Sequence, residues 1–508
     1  MGSLSPSPSS QDSSATILSL TDQIRLAALS EAEAEAKADT SSHPNPETHA
    51  HLLSLLDTLR LTIETPAETA RRIIYQPPQN AALRVLLDLR VFELLMEHAD
   101  EDEDGVSVQE IVQRTGAEGA LVVRLMRVAV ALGLASQSQS QCISNSNSNS
   151  NSPGRYGYGY VYRRTSKTPI MTSPLGRDGG MVLYDLTMPT LASLPSYFSA
   201  HAYNVPTEAS CPMRWTTGQS QFEWLGARPA QQERFNAYMG ARRMGSRAWF
   251  EVFPVQKVFG DLGLGDRDGK WKKTVGTGKD QGRDDGEGGG ESEGEGDVFI
   301  VDIGGNEGHD LVALRKRYPG LRGRLVLQDL PAVVQGKDTE LDRYGIEVMG
   351  YNFFEPQPVR GPYTPSPPLP GHSPIPLPYS TNTIRPHPGA RIYYLRSILH
   401  DWPDATCLKI LRNIIPAMSP SSRLILVEFV LPDTHTPLFQ AALDVQMMCL
   451  GAGGERSRAQ WEMLLGEAGL EIQGVWGGGG GERVIEVGLA DAADGKGGRM
   501  GRGEDGDD

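Results

Sequence analysis

His400 lies in the stretch LRSILHDWPD (395–404), at the end of an apolar run and directly before Asp401 and Trp402. With an ordinary pKa of about 6.5, an imidazole is the side chain suited to take a proton from a hydroxyl near neutral pH. Alone, such a histidine could equally be a hydrogen-bonded core residue. Two acids at comparable places bear on the choice: Glu428 closes the apolar run of LVEFVLPD (426–433), and Glu455 lies in GGERS (453–457), just ahead of a helix. A histidine flanked by two carboxylates is a base held in one orientation, with its imidazolium stabilised once formed. Either glutamate alone would read as a capping or surface residue.

The second stretch with chemical content is DVFIVDIGGNEGHDLVALRKRYPGLRGRLVLQDLP (297–331). An apolar run, a glycine-rich turn, an amphipathic segment and a second apolar run ending in an acid predict strand, turn, helix and strand, one βαβ unit. Gly304, Gly305 and Gly308 let the backbone approach a ligand where a Cβ would collide, and Asp329 emerges at a strand end, where it can accept hydrogen bonds from a ribose. The order Gly304, Gly305, Asn306, Glu307, Gly308 does not fit GxGxxG, and Glu307 would repel a diphosphate. Asp302 and Asp329 suit instead a ligand with an amino-acid tail and a ribose but no phosphates, as in S-adenosylmethionine. The alternative is a tight turn that binds nothing.

If S-adenosylmethionine is the ligand and His400 a base beside it, the reaction to expect is in-line transfer of a methyl group from a sulfonium to a hydroxyl oxygen. A phenol of pKa ~10 facing a histidine of pKa ~6.5 is roughly 5 kcal/mol uphill if the proton moves first. Proton removal partly concerted with transfer is therefore expected. No His/Asp cluster with ligand spacing stands in the sequence, so no metal is expected.

Several elements must hold these residues. Beyond the βαβ unit, IEVMG (346–350), ARIYYLR (390–396) and RLILVEF (423–429) read as strands with helices between them, which makes the sheet mainly parallel. A helix over 404–418 capped by Asp404, a helix over 459–468, and a closing antiparallel pair over 470–475 and 483–488 complete the unit. In doubly wound sheets ligands bind at the carboxyl ends of the strands, where His400, Glu428 and Asp329 fall. Ahead of it, Leu52, Leu53, Leu55, Leu56 and Leu59 give a helical face to bury, residues 80–98 a second long helix, SVQEIVQRTG (107–116) a short one opened by a Ser107/Glu110 capping box, and residues 117–132 a third that stops at Gly133. A hairpin over 134–165, interrupted by SQSQSQ and SNSNSNSNS, then forms the wing of a winged helix. Arg124 and Arg127 lie on what would be the reading helix, but the acid run 100–104 and the lack of a basic stripe speak against DNA; packing against another subunit fits better.

The expected domains are a mostly disordered segment 1–45, with at most a weakly anchored short helix near 14–37, a winged-helix domain 46–165 with a low-complexity insertion 136–153, a helical segment 166–263, an acidic Gly-rich insertion 264–296, the sheet domain 297–489 with a Pro-rich loop 357–388, and a disordered tail 490–508. The helical stretch 229–250 could cover a ligand mouth, with Trp224, Phe235 and Met239 either lining it or serving as ordinary core. Of the formal charge of -15 over 508 residues, two glycine-rich segments, 276–297 and 491–508, carry nine units, so the folded part is only mildly acidic and nucleic acid is not an expected partner. Four widely spaced cysteines form neither a CxxC pair nor a disulfide framework, which points to a reducing setting. No apolar run approaches the roughly 20 residues of a membrane span, so no membrane partner and a cytoplasmic location are expected.

Taken in order, DIGGNEGHDL, LQDLP, YLRSILHDWPDATCLKILRNIIPAM, LVEFVLPD, DVQMM and GGERSRAQWEMLLGEAG resemble the S-adenosylmethionine-dependent O-methyltransferases of the plant caffeate/flavonoid and fungal polyketide (sterigmatocystin) type. The resemblance covers most of residues 49–489, and HDWPD together with GGER is its specific part. It implies an α/β Rossmann-like methyltransferase sheet behind a mainly helical winged-helix domain that makes a homodimer, and a small aromatic hydroxylated acceptor. By position it makes His400 the general base with Glu428 and Glu455 flanking it. It places Gly304, Asp329, Leu330, Asn352, Phe353 and Arg396 at the donor and Asp401 and Met447 at the acceptor, to which the helical stretch adds Phe235 and Met239 as candidate lining. The chain departs from the pattern at Asn306, where glycine is usual, at Asn352, where the family has Asp, and at Ser457, where it has Thr. Asn306 can take a positive φ, and the Asn352 amide oxygen can still accept a hydrogen bond, so weaker donor binding is expected at that point. A donor-binding regulator that has lost catalysis is the alternative.

Overall fold

The computed structural model describes residues 10–37, 46–98, 105–139, 159–243, 247–259, 298–360, 389–478 and 481–490. The acid run, the SNSNSNSNS repeat, the acidic insertion, most of the Pro-rich loop and the tail lie outside them.

The chain begins with α1 (Ser10–Lys37) and α2 (Pro46–Ile63). The expectation of disorder over 1–45 fails for α1: Leu20, Ile24 and Ala27 recur at helical spacing and pack on Leu52, Leu55 and Leu59 of α2. Sequence reasoning saw the stripe on α2 without its partner. Leu53 and Leu56, expected in the buried face, are exposed, as are Leu61, Ile63 and, in α3 (Pro66–Ile74), Ile73 and Ile74. The helix expected over 80–98 is two, α4 (Gln76–Asp88) and α5 (Val91–Glu97), because Arg90 adopts a left-handed φ of 53° and turns the chain between them.

The winged-helix unit follows as β1 (Val106–Ser107), α6 (Val108–Thr115), α7 (Gly119–Ala131), β2 (Ser136–Gln139) and β3 (Tyr160–Arg163). Half of the expected capping box forms: the Ser107 hydroxyl accepts from the Glu110 N–H, but the Glu110 carboxylate pairs with His98 at 2.7 Å. The insertion expected from 136 starts later, since Ser136–Gln139 is a strand paired antiparallel with β3. Its alternating Ser and Gln meet a strand that supplies the buried Tyr162, and Ser138 accepts from Arg163.

The sheet domain contains β4 (Val298–Ile303), β5 (Arg324–Asp329), β6 (Ile346–Gly350), β7 (Ile392–Arg396), β8 (Arg423–Glu428), β9 (Val430–Leu431), β10 (Arg456–Ser457), β11 (Leu470–Trp476) and β12 (Arg483–Leu489). Seven of them form one sheet in the order β11-β12-β8-β7-β4-β5-β6. The strands β4 to β8 run parallel, and β12 and β11 add antiparallel at the edge. β4 is buried along its whole length, as a central strand covered on both faces must be. One face packs on the helices Asp404–Ile414 and Arg458–Glu467 through Leu408, Leu411, Trp461 and Leu465. The other packs on the helix His309–Arg317 and on Trp249, Phe250 and Phe253.

Two expectations at this sheet need correction. The Pro-rich loop does not begin at 357: Gln357 is buried and exchanges two amide hydrogen bonds of 2.9 Å with Gln328, and Val359 joins the core. Asp404 does not cap its helix with its side chain; its carboxylate is drawn to Arg456 at 2.7 Å.

Candidate active site

The parallel strands deliver Ile303, Asp329, Gly350, Arg396 and Glu428 to one edge of the sheet. Past β7 the chain enters a single 3-10 turn, Leu399–Asp401, with His400 at its centre and buried. The turn is fastened from three sides. Glu428 Oε1 accepts the Ile398 and Leu399 N–H groups at 3.1 and 2.9 Å. Arg456 donates to the carbonyls of Leu399 and Trp402 at 3.0 and 2.9 Å. The Gly454 N–H donates to the His400 carbonyl at 2.9 Å. Gly453 has to be glycine here, since a Cβ would come within 2.1 Å of that carbonyl oxygen.

On the ring itself, Nδ1 lies 2.8 Å from Glu455 Oε1 and 3.8 Å from Glu428 Oε2. Nδ1–H thus donates to Glu455, which leaves Nε2 as the acceptor, 3.7 Å from Asp401 Oδ1 and beyond hydrogen-bond reach of it. Burial pushes the imidazole down, but the carboxylates of Glu428, Asp401 and Glu455 outweigh it and raise His400 to about 9. Burial also raises Glu428, to about 7, against the pull of the neighbouring imidazolium. The cluster therefore stores protons, and its titration belongs to the group rather than to one residue.

His400, Glu428 and Glu455, expected together as a base and its flanking acids, can each offer one ligand atom within 4.8 Å of the others, a geometry able to hold a metal ion that their spacing in sequence did not disclose. The contacts within it are those of a proton-sharing group. The closest pair stands at 2.8 Å, a charge-assisted hydrogen bond, and one oxygen of Glu428 already serves two backbone donors.

The glycine turn sits beside this cluster. Gly304 and Gly308 have φ of 74° and 73°, and Asn306 takes 54°, so the asparagine fills a left-handed position as its type allows. The Asp329 carboxylate accepts the Asn306 N–H at 2.8 Å and the Leu330 N–H at 2.7 Å, which pins it at the strand end with lone pairs left on both oxygens. Asp302 is buried beneath the turn with Oδ2 unpartnered among the described residues, and burial raises it to about 8. A cationic ligand group would satisfy that oxygen. Asn352 accepts the Phe354 N–H at 3.1 Å, Phe353 packs edge-on to Trp402, and Leu330 is exposed at the turn mouth. Arg396 is differently disposed from a free donor contact: Glu482 and Asp310 hold its guanidinium, at 2.5 and 3.2 Å. Gly305→Ala places a Cβ 2.4 Å from Asp302 Cγ and 2.5 Å from Leu327 Cδ1. It is expected to cost about 1–3 kcal/mol in denaturant unfolding and to displace Asp302.

In front of His400 lies a cavity of about 230 Å³. Its wall includes four predicted acceptor residues, Asp401, Met447, Phe235 and Met239, together with His400. Glu428 and Glu455 stand behind the ring instead. Trp224 is packed at the border of the adjoining core with Arg228 over its ring, and does not line the cavity. Tyr238, Arg242, Ser397, Phe439 and Gln446 line it and were missed. Helical spacing from Phe235 would have found Tyr238 and Arg242; the sequence carried no signal for Ser397.

Among known proteins, the family model of the O-methyltransferase domain matches residues 383–471, and that of the O-methyltransferase dimerisation domain matches residues 79–157. A methyltransferase of Aspergillus candidus, cfoC, is 27% identical over 434 residues, 85% of this chain and 88% of its own. The demethylsterigmatocystin 6-O-methyltransferase of Aspergillus flavus is 28% identical over 408 residues, 80% of this chain and 83% of its own. A solved structure described as LepI in complex with SAM superposes with a TM-score of 0.67 at 24% identity, covering 94% of this chain and 99% of that one.

Proposed function

We propose that this chain, an S-adenosylmethionine-dependent O-methyltransferase, methylates a hydroxyl of an aromatic polyketide-like acceptor, with His400 as general base and without a metal. The observation that carries the reading is the buried imidazole on the cavity wall whose Nδ1 is fixed by Glu455, which leaves Nε2 to accept.

When bound, S-adenosylmethionine supplies a methyl group on a sulfonium. Asp329 would hold the ribose, Asp302 the ammonium of the amino-acid tail, and Asn352, Phe353 and Leu330 the base. The sulfonium chemistry needs no further electrophile, and the chain has only to position and deprotonate the acceptor. The hydroxyl donates to Nε2, and its proton passes to that atom as charge builds on Nδ1–H, where Glu455 stabilises it. An ordinary imidazole would leave a phenol about 3.5 units uphill; with His400 raised to about 9, the gap to a phenol of pKa ~10 narrows to about one unit. The apolar wall from Leu183, Leu186, Phe235 and Leu443 keeps water from competing.

The matched dimerisation domain supports a dimer, and the exposed Leu53, Leu56, Leu61, Ile63, Ile73 and Ile74 support a second copy as the cover of the N-terminal helices. We assign residues 46–165 to dimerisation and 297–489 to catalysis. No helix of the described residues is long and apolar enough to cross a membrane. The regulator reading loses ground because His400, its Glu455 partner and a cavity stand together, as the catalytic reading requires.

Mass spectrometry of products from a panel of polyketide-type phenols, incubated with S-adenosylmethionine with and without a chelator, tests this. A product heavier by one methylene and indifferent to chelator is expected. Asp329→Ala should weaken donor binding by calorimetry by about 10–100-fold, the loss of one or two charge-assisted hydrogen bonds. Donor binding with no product from any phenol would overturn the catalytic reading.

A further inference from the structure

We propose that the acceptor carries a carboxylate and that Arg242 reads it, an inference that deepens the proposed function by naming its substrate class.

Arg242 follows the last turn of the helix Pro229–Ala241, and its side chain reaches the wall of the cavity before His400. Among the described residues it is the only arginine or lysine on that wall. The neighbouring arginines are all spoken for. Arg243 pairs with Asp310 at 3.2 Å, Arg396 with Asp310 and Glu482, and Arg456 with Asp404. Arg242 makes no ion pair with any described carboxylate, and the hydrogen bond of its guanidinium is to the Met239 sulfur at 3.9 Å. Asp401 and Glu482 lie close enough to feel its charge, but Glu482 is already held by Arg396 and Ser397. Asp401 faces the imidazole instead.

A guanidinium has five donors in a rigid fork and stays charged at every relevant pH. Set beside Phe235, Met239, Leu443 and Met447 on the half-buried wall, its donors have no carboxylate partner among the described residues and are free to take one from a ligand. A planar carboxylate fits the fork with two parallel hydrogen bonds. It would also fix which hydroxyl meets Nε2, because an acceptor tied at Arg242 has only the ring positions within reach of His400. A neutral phenol of the same size leaves the guanidinium unpaired, so the cavity discriminates by a polar group rather than by fit alone.

The probes are 2,4-dihydroxy-6-methylbenzoic acid, 2-hydroxybenzoic acid and 4-hydroxybenzoic acid, each with its primary amide. Binding to the full-length protein is measured by calorimetry with S-adenosylhomocysteine present, so that no turnover is required. For at least one pair the acid is expected to bind roughly 10–100-fold more tightly than its amide. Arg242→Met should collapse that ratio towards one, and Arg242→Lys should restore part of it, as a point charge without the fork. Amides that bind as well as their acids in the wild-type protein overturn the proposal without recourse to any variant. So does an Arg242→Met protein that loses acid and amide equally, which would make Arg242 a mere counterweight to Asp401. An acid preference in a protein that methylates nothing would instead sink the methyl-transfer reading and leave this one standing.

Discussion

His400→Ala is expected to lower turnover of a phenolic acceptor by about 10²–10⁴-fold, the usual worth of a positioned general base. Donor affinity should remain within about three-fold, since no described contact joins the imidazole to the glycine turn or to Asp329. The alanine variant leaves the buried carboxylates of Glu428 and Glu455 facing an empty site, a cost to stability that could be mistaken for a catalytic effect. His400→Gln separates the two: its amide N–H can still donate to Glu455, while no basic nitrogen faces the cavity. Both variants slow and donor-competent supports the base; a His400→Gln enzyme turning over at wild-type rate would end that assignment.

The pH profile carries the same claim with a definite sign. His400 is raised to about 9, so near neutrality most of the enzyme holds an imidazolium that cannot accept the acceptor's proton. The logarithm of kcat/KM should therefore rise with a slope of about one from pH 7 and level off near 9. In His400→Gln the residual rate should track the phenol's own ionisation, near pKa ~10. Stability runs the other way. His400 gains a proton-binding advantage on folding that is fully present below its unfolded value of about 6.5 and is lost as pH climbs through about 9. Glu428, raised to about 7, and Asp302, raised to about 8, also bind protons more tightly when folded, and so add to the loss in the same direction. The enzyme should be most active where its fold is weakening.

What was legible beforehand follows from how local each signal is. The βαβ unit, the HDWPD turn and the two glutamates are short runs whose periodicity or strand-end position carries the information, and all of them arrive at one sheet edge. The division of labour between the glutamates was not legible, because both follow apolar runs or glycines and only the fold decides that Glu428 fastens the turn while Glu455 meets the ring. The resemblance put Arg396 at the donor, yet Glu482 reaches it from a glycine run 86 residues away. A glycine-flanked acid offers no periodicity from which to infer a partner. For α1 a short helix near 14–37 is legible but its anchor is not: Leu20, Ile24 and Ala27 make too thin a stripe to stand alone, and their burial depends on α2.

Glu455→Gln is the change that tests how the imidazole is held. The amide oxygen can still accept Nδ1–H, but its NH₂ group can turn to the same place and donate, so the ring loses its fixed tautomer as well as a negative charge. Turnover is expected to fall by about 10–100-fold, the scale on which a group that orients a working histidine acts. The acid limb of the pH profile should at the same time move below 9, because a carboxylate that raises His400 is gone. A purely structural role for Glu455 would lower the rate without moving the limb. Glu428→Gln should also move the limb, since its charge raises the imidazole too, but its nearest contacts are the N–H groups of Ile398 and Leu399, and the ring keeps its Glu455 partner. A smaller loss of rate for an equal shift is thus expected there. If instead the two variants behaved alike in rate, orientation by Glu455 would contribute nothing beyond charge, and the 2.8 Å contact would be an electrostatic one only.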